Sequence, residues 1–185
     1  MKFIYQKKSA LTEGECTDVI DFFESNKDKH QSGKIIKNAY GRNKCSTDWT
    51  KSFYHEDKVD LIIGPVIAQG MKEYVDLHPG IKEVDNLWDV DYQYNLQKYQ
   101  PGEGFKNWHC ENSGRSSYAM TRILAWMIYL NDVPDGGTEF LDQETTIKAE
   151  VGKLCIWPAY FTHVHRSQVS HTKTKYIATG WAKFV

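Results

Sequence analysis

Lys175-Tyr176-Ile177-Ala178-Thr179-Gly180-Trp181-Ala182-Lys183-Phe184, near the end of the chain, reads as a strand. Successive side chains of an extended chain point to opposite faces. Lys175, Ile177, Thr179 and Trp181 therefore share one face, and Tyr176, Ala178, Gly180 and Ala182 share the other. Working back toward Leu87, the same extended character recurs. Asp91–Tyr99 alternates, Arg122–Asn131 is a longer apolar run, and Ile147-Lys148 and Leu154–Trp157 are short apolar pieces. Between them stand Gln100-Pro101-Gly102-Glu103-Gly104, Val133-Pro134-Asp135-Gly136-Gly137 and Val151-Gly152-Lys153, all good turn chemistry. Short strands at such spacing predict an antiparallel sandwich or barrel.

Upstream the period changes to that of helices. Thr12 followed by Glu15 forms a capping box ahead of Val19, Ile20, Phe22 and Phe23, which recur at helix spacing. A second helix is predicted over Lys58–Leu77, with Leu61, Ile62, Val66, Ile67, Met71 and Tyr74 as its apolar stripe. Gly64-Pro65 is expected to kink or divide it, and His78-Pro79-Gly80 to end it. The polar stretch Asn26–Thr50 carries no clear period; loops with a strand around Lys34–Ala39 fit it, and residues 26–56 are candidates to cover a substrate. No repeat and no long linker occurs. The expected organisation is an N-terminal helical support region, 1–86, packed on a β domain, 87–185.

Composition narrows the function classes. The 185 residues are 41% apolar and 25% charged, which excludes wholesale disorder. With 23 Lys+Arg against 24 Asp+Glu the formal net charge is -1. That balance gives no basic stripe for nucleic acid, so no nucleic-acid partner is expected. The four cysteines (Cys16, Cys45, Cys110, Cys155) are scattered, which argues against a disulfide framework and for a reducing compartment. No signal-peptide run and no apolar membrane span is legible. A cytoplasmic protein without a membrane partner is the expectation.

Two clusters carry chemistry. In His109-Cys110-Glu111, extended chain would turn His109 and Glu111 to one side and Cys110 away. His163-Val164-His165 follows the apolar Leu154–Trp157 piece. Two imidazoles and one carboxylate on neighbouring strands match the facial triad of non-haem Fe(II) oxygenases, and a zinc hydrolase can be drawn from the same set. Lys175 weighs between them. A lysine heading a face with Ile177 and Trp181 needs an anionic partner, because an unpaired buried ammonium is costly; a carboxylate ligand would supply one, with the Thr179 hydroxyl as a second donor. The bland alternative is a lysine that snorkels to water from a strand end.

Taken in order, several segments make the resemblance specific. They are Tyr99-Gln100-Pro101-Gly102-Glu103-Gly104-Phe105, His109-Cys110-Glu111, Arg122 through Val133, Gly136-Gly137-Thr138-Glu139-Phe140, Gly152 through Ala159, and His165 with Lys175 ten residues on. Over roughly Leu87–Phe184, about half the chain, the sequence resembles the catalytic domain of prolyl 4-hydroxylases and related Fe(II)/2-oxoglutarate-dependent dioxygenases. The resemblance implies an α+β fold, a double-stranded β-helix (jelly-roll) core with N-terminal flanking helices. It implies Fe(II) on His109, Glu111 and His165, the last chosen over His163 by its distance from Lys175. Lys175 would pair with the remote carboxylate of 2-oxoglutarate, with hydrogen bonds from Tyr99 and Thr179, and Trp181 would wall that pocket. Arg122, and Arg115 beside it, would orient the substrate. The implied reaction consumes O2 and 2-oxoglutarate, with ascorbate as reductant. It gives succinate and CO2 and hydroxylates an unactivated C–H, a prolyl residue of a peptide or protein being the first expectation.

Three departures qualify this. Glu111 stands where the family uses Asp, so its extra methylene must be taken up by backbone or rotamer. Phe105 to His109 is one residue longer than usual, which could displace Tyr99, and Gly136-Gly137-Thr138-Glu139 lacks the acidic residue common between Gly and Thr. The rival functions are a non-catalytic jelly-roll module that binds a metal or ligand, and an oxygenase acting on a free amino acid or other small molecule. His30, His55, His78 and His171 have no partner pattern and read as solvated loop residues; Cys110 reads as a small packing residue.

Overall fold

The computed structural model describes residues 3–33, 44–83, 87–114 and 116–185. In chain order these give β1 (Tyr5–Lys7), α1 (Glu13–Ser25), β2 (Gln31–Ser32), β3 (Lys44–Cys45), β4 (Thr47–Ser52) and α2 (Lys58–Leu77). Then come β5 (Trp88–Tyr99), β6 (Gly104–Phe105), α3 (Ser117–Met120), β7 (Arg122–Tyr129) and β8 (Val133–Phe140). The last are β9 (Thr145–Ala149), β10 (Leu154–Pro158), β11 (His165–Ser167) and β12 (Lys175–Phe184). A seven-stranded sheet runs β1-β10-β7-β12-β5-β4-β2, a three-stranded sheet β11-β8-β9 accompanies it, and β3 pairs β6. Every pairing is antiparallel.

The alternation in β7 explains why its apolar run is so long. Leu124, Trp126 and Ile128 belong to a core shared with Val19 and Phe23 of α1 and Ile63, Ile67 and Tyr74 of α2. Ala125, Met127 and Tyr129 belong to a second core with Phe140 of β8 and Ile147 of β9. A strand buried on both faces loses its polar partners on both. The arrangement is an α+β jelly roll, with helices on one face of the large sheet and the small sheet on the other.

Both predicted helices form. The Thr12–Glu15 capping box starts α1, and α2 runs undivided through Pro65 over the whole of Lys58–Leu77. The region before residue 87 also contributes strands that the helical reading lacked. The edge strand β1 pairs with β10, and β4 pairs with β5 along six residues. Three residues are too few for a pattern to show in β1. Val133-Pro134-Asp135-Gly136-Gly137, read as a turn, lies inside β8. Its pairing with β9 shifts register between Val133 and Thr138, a break suited to Pro134, which has no N–H for the ladder. The strand expected around Lys34–Ala39 and the Arg115 position lie outside the described residues. The cysteines are free thiols, and no described helix is long and apolar enough to cross a membrane.

The N-terminal segment is tied down at two places. Gly152, with φ +70, precedes β10, and its carbonyl accepts from the N–H groups of Ala10 and Leu11. A Cβ there would stand 2.0 Å from the Leu11 carbonyl oxygen, so only glycine fits on both counts. The second tie is Lys51 of β4, whose ammonium is 1% exposed. It donates to Asp57, the N-cap of α2, and lies 3.5 Å from Asp60, which also accepts from the buried Tyr94 hydroxyl. Breaking a buried pair strands its partner's charge. Lys51→Met is therefore expected to lower the unfolding free energy by about 3–5 kcal/mol, read as a lower urea midpoint with an unchanged slope.

Candidate active site

Between the two sheets lies a cavity of about 360 Å³. Its floor is the inner face of the large sheet: Lys175, Ile177, Thr179 and Trp181 of β12, Asn95, Gln97 and Tyr99 of β5, and Met127 of β7. Thr138, His165 and Ser167 close it from the small sheet, and Phe105, His109 and Glu111 from the preceding loop. The face-sharing read from the sequence of β12 is the face that lines this cavity.

His109 and His165 meet because their backbones form an isolated antiparallel bridge. His109 N–H donates to the His165 carbonyl at 3.0 Å, and His165 N–H returns the bond at 2.9 Å. Direct opposition in such a bridge sets the side chains next to each other, here with ring centroids 4.4 Å apart. Phe105 stacks on the other side of His109 at 3.5 Å, so the longer Phe105–His109 interval still brings these rings face to face. Each imidazole is then oriented from behind. Nδ1 of His109 faces the Asn107 carbonyl at 2.9 Å, and Nδ1 of His165 faces the His163 carbonyl at 2.9 Å. Opposite a carbonyl, Nδ1 is the donor, which turns each Nε2 inward. His163 itself lies in a short 3-10 turn, not on a strand, and its part here is that backbone carbonyl.

Both Nε2 atoms converge on Glu111. Its Oε1 is 3.5 Å from His109 Nε2 and 3.4 Å from His165 Nε2; one ligand atom from each of the three residues falls within 4.8 Å of the others. Burial would raise the Glu111 carboxyl, but the two imidazoles hold it well below the usual carboxylate range. Burial also pushes His109 down, toward the neutral imidazole. One carboxylate and two imidazole nitrogens converging on one point form a donor set suited to a divalent cation.

The other carboxylate oxygen is held elsewhere. Trp181 Nε1 donates to Oε2 at 2.9 Å and Arg122 Nη1 lies 3.4 Å from it. The Arg122 guanidinium is stacked 3.4 Å over the Trp181 ring. Trp181, expected to wall a ligand pocket, thus also binds Glu111. Arg122, expected on the substrate, leans on Glu111 while its buried Nε has no partner among the described residues.

Across the cavity Lys175 is 3% exposed, so it does not snorkel. Its ammonium donates to the Gly136 carbonyl at 2.7 Å, Ser167 Oγ at 2.6 Å and the Gln168 carbonyl at 3.3 Å, beside the Tyr99 ring. All three acceptors are neutral. Burial pulls its pKa down to about 8, against a small upward pull from Asp135. Thr179 gives its proton to the Trp126 carbonyl at 2.8 Å and Tyr99 gives its own to Gln97 at 2.7 Å. Both hydroxyls border the cavity with their protons already engaged. Ser167 was missed in the sequence, although it follows His165 by two residues and shares its side of β11. Asp48 and Gln97 were missed as well, and only the pairing of β4 with β5 brings them together.

Residues 94–183 match the 2OG-Fe(II) oxygenase superfamily. No curated protein resembles the chain closely enough in sequence to count as a match. Among solved structures, the viral collagen prolyl hydroxylase of Paramecium Bursaria Chlorella virus-1 superposes with a TM-score of 0.73 at 18% identity, covering 100% of this chain and 97% of that one. A prolyl hydroxylase from Trichoplax adhaerens, solved with a hypoxia inducible factor oxygen degradation domain peptide fragment, gives 0.72 at 13%, covering 99% and 84%. SnoN, a non-heme alpha ketoglutarate dependent epimerase from nogalamycin biosynthesis, gives 0.67 at 15%, covering 97% and 76%. At these identities the likeness is one of fold.

Groups that orient a metal-binding side chain commonly govern affinity about 10–100-fold. Trp181→Phe and Arg122→Met are each expected to weaken Mn(II) binding by about that factor, measured by calorimetry under anaerobic conditions. Glu111→Ala should remove it, and equal affinities across the set would refute the role given to Trp181 and Arg122.

Proposed function

We propose, from a chain that belongs over residues 94–183 to the 2OG-Fe(II) oxygenase superfamily, that it hydroxylates prolyl residues of peptides or proteins. His109, Glu111 through Oε1, and His165 would hold Fe(II), and 2-oxoglutarate would chelate beside them. The observation that carries the co-substrate assignment is Lys175, a buried ammonium with only neutral partners, across the same cavity from the three ligands. A remote carboxylate placed there would receive the charge that no protein group supplies.

When bound, the iron and 2-oxoglutarate supply O2-dependent oxidative decarboxylation, giving succinate and CO2 and hydroxylating a C–H bond. The chain's own residues hold, orient and exclude. The bridge between His109 and His165 fixes two nitrogens on one side of the metal position. Trp181 and Arg122 engage Oε2 of Glu111, which would leave Oε1 to hold the iron. Ile177, Met127 and Trp157 line the cavity with apolar surface that keeps water from the reacting centre. Ascorbate is the reductant proposed to restore the iron after unproductive turnover.

A zinc hydrolase built on the same three ligands would leave Lys175 without purpose. The prolyl preference draws on the prolyl hydroxylases among the similar folds. The deciding assay is succinate formation from 2-oxoglutarate with Fe(II), ascorbate and O2, with and without proline-containing peptides and beside His109→Ala. Peptide-stimulated succinate that disappears in the variant is expected; peptide-independent rates would sink the prolyl reading.

The Lys175 reading has its own pH signature. The ammonium is present below its pKa of about 8 and lost above it, so affinity for the dianionic co-substrate should be flat below that pH. It should then fall as pH rises, by at most tenfold per unit. Anaerobic titration of the Mn(II)-loaded protein with 2-oxoglutarate checks this. Lys175→Met should weaken binding by roughly 100-fold and abolish the slope.

A further inference from the structure

A second cavity, of about 720 Å³, lies on the helix side of the large sheet. Tyr74 and Leu77 of α2, Ile123 and Leu124 of β7, and Tyr160 and His163 after β10 are among its walls. The two cavities back onto one strand. Trp157 lines the catalytic cavity, and Pro158, the next residue of β10, lines the second. His163 serves both regions: it borders the second cavity, while its carbonyl faces Nδ1 of His165 at 2.9 Å. The Phe140 ring neighbours both histidines, 6.5 Å from the His163 ring and 5.5 Å from the His165 ring.

We infer that this cavity takes an uncharged aromatic small molecule, and that its occupancy is coupled to the metal-binding corner through His163. The site stands apart from the prolyl reading; only the coupling uses the three metal ligands. Three features set the class of ligand. Among the described residues, no Asp, Glu, Lys or Arg borders the cavity. A charged group would leave water there without a partner, which is costly. The walls are rich in rings, Phe3, Tyr74, Tyr160 and Phe184 among them, and aromatic ligands gain most from such faces. The lining is also deep, since Tyr74, Ile123, Leu124 and His163 are each 5% exposed or less. A protein partner meets exposed side chains; a small molecule reaches in, and the volume suits one.

The coupling follows from what holds the turn that carries His163. Phe161–His163 is a single 3-10 turn. From the β8–β9 connection, Gln143 Nε2 donates to the Thr162 carbonyl at 2.8 Å. Tyr160, Thr162 and His163 border the cavity. A ligand seated there braces the turn, and with it the carbonyl that orients His165. Order imposed by one ligand is order that the second need not impose, so the occupant and a metal ion should strengthen one another. Linkage makes the factor equal in both directions.

The test is a titration with Nile red, an uncharged aromatic dye, read by fluorescence anisotropy. Wild type is compared with Leu77→Glu, Tyr160→Ala and the control Leu61→Ser. Leu77 and Tyr160 are 63% and 38% exposed, so neither change threatens the core. Leu61 is an exposed residue of α2, roughly 24 Å from Leu77 at about 1.5 Å per residue. Wild type and Leu61→Ser should bind alike, and Leu77→Glu and Tyr160→Ala roughly tenfold more weakly. Saturating Mn(II), added without oxygen, should raise the dye affinity of wild type roughly fivefold and leave that of Glu111→Ala unchanged. Equal dye binding by all four proteins overturns the site. Equal dye affinity with and without Mn(II), where calorimetry shows the ion bound, overturns the coupling. If no Mn(II) binds while the dye still discriminates the variants, the metal reading fails and takes the coupling with it, and the cavity assignment stands. A wild type that binds no dye, self-associates in sedimentation and becomes monomeric as Leu77→Glu gives the cavity to a second copy and overturns the inference.

Discussion

Two backbone hydrogen bonds, exchanged between His109 and His165, are the constraint from which the rest of the site follows. They join a loop to the edge of the small sheet and so bring together residues 56 positions apart. Directly opposed residues of an antiparallel bridge present neighbouring side chains, so the imidazoles come side by side without a special loop geometry. The carbonyls of Asn107 and His163 then settle which nitrogen of each ring faces inward. Position and ring orientation are thus both fixed by main-chain atoms, which a sequence can vary around without moving them.

Opposite this corner the balance of charge differs. Lys175 sits on the inner face of β12, in register with Tyr99, and its ammonium is ringed by two carbonyls and a hydroxyl. Neutral acceptors satisfy its N–H groups but do not neutralise its charge, and its lowered pKa follows from that shortfall. The cavity therefore has an end with one carboxylate and two imidazoles, suited to a cation, and an anion-seeking end. A ligand carrying a chelating group at one end and a carboxylate at the other is complementary to both.

Much of this was legible because it depends on period. The alternation of β12 placed Lys175, Ile177, Thr179 and Trp181 on one face, and that face lines the cavity. The capping box gave the start of α1. The resemblance supplied the three candidate ligands, and the choice of His165 over His163 came from spacing to Lys175. Parity could not have made that choice, since His163 is not on a strand at all. What stayed hidden depends on tertiary pairing. The three residues of β1 are too short to show a pattern, and the turn residues Pro134–Gly137 lie inside β8 at a register shift that sequence does not announce. The Asp48–Gln97 contact requires knowing that β4 lies beside β5. The contacts of Arg122 and Trp181 with Glu111 were not legible, because a side chain's partner is set by what else points into the same space.

The glutamate at position 111 is the point at which sequence and structure argue most directly with each other. A side chain one methylene longer than aspartate would, without support, sample more rotamers and could turn both oxygens toward a metal. Here its oxygens are divided between two tasks. Oε2 is taken by the Trp181 indole and the Arg122 guanidinium, which are themselves stacked on one another. Oε1 is the atom left facing both imidazoles. The carboxylate reaches Trp181 on β12 and both imidazoles together, and each contact removes freedom that the methylene adds. Trp181 of β12 and Arg122 of β7 supply the groups that hold the longer side chain. A carboxylate fixed in this way would present a single oxygen to a cation held with the two imidazoles.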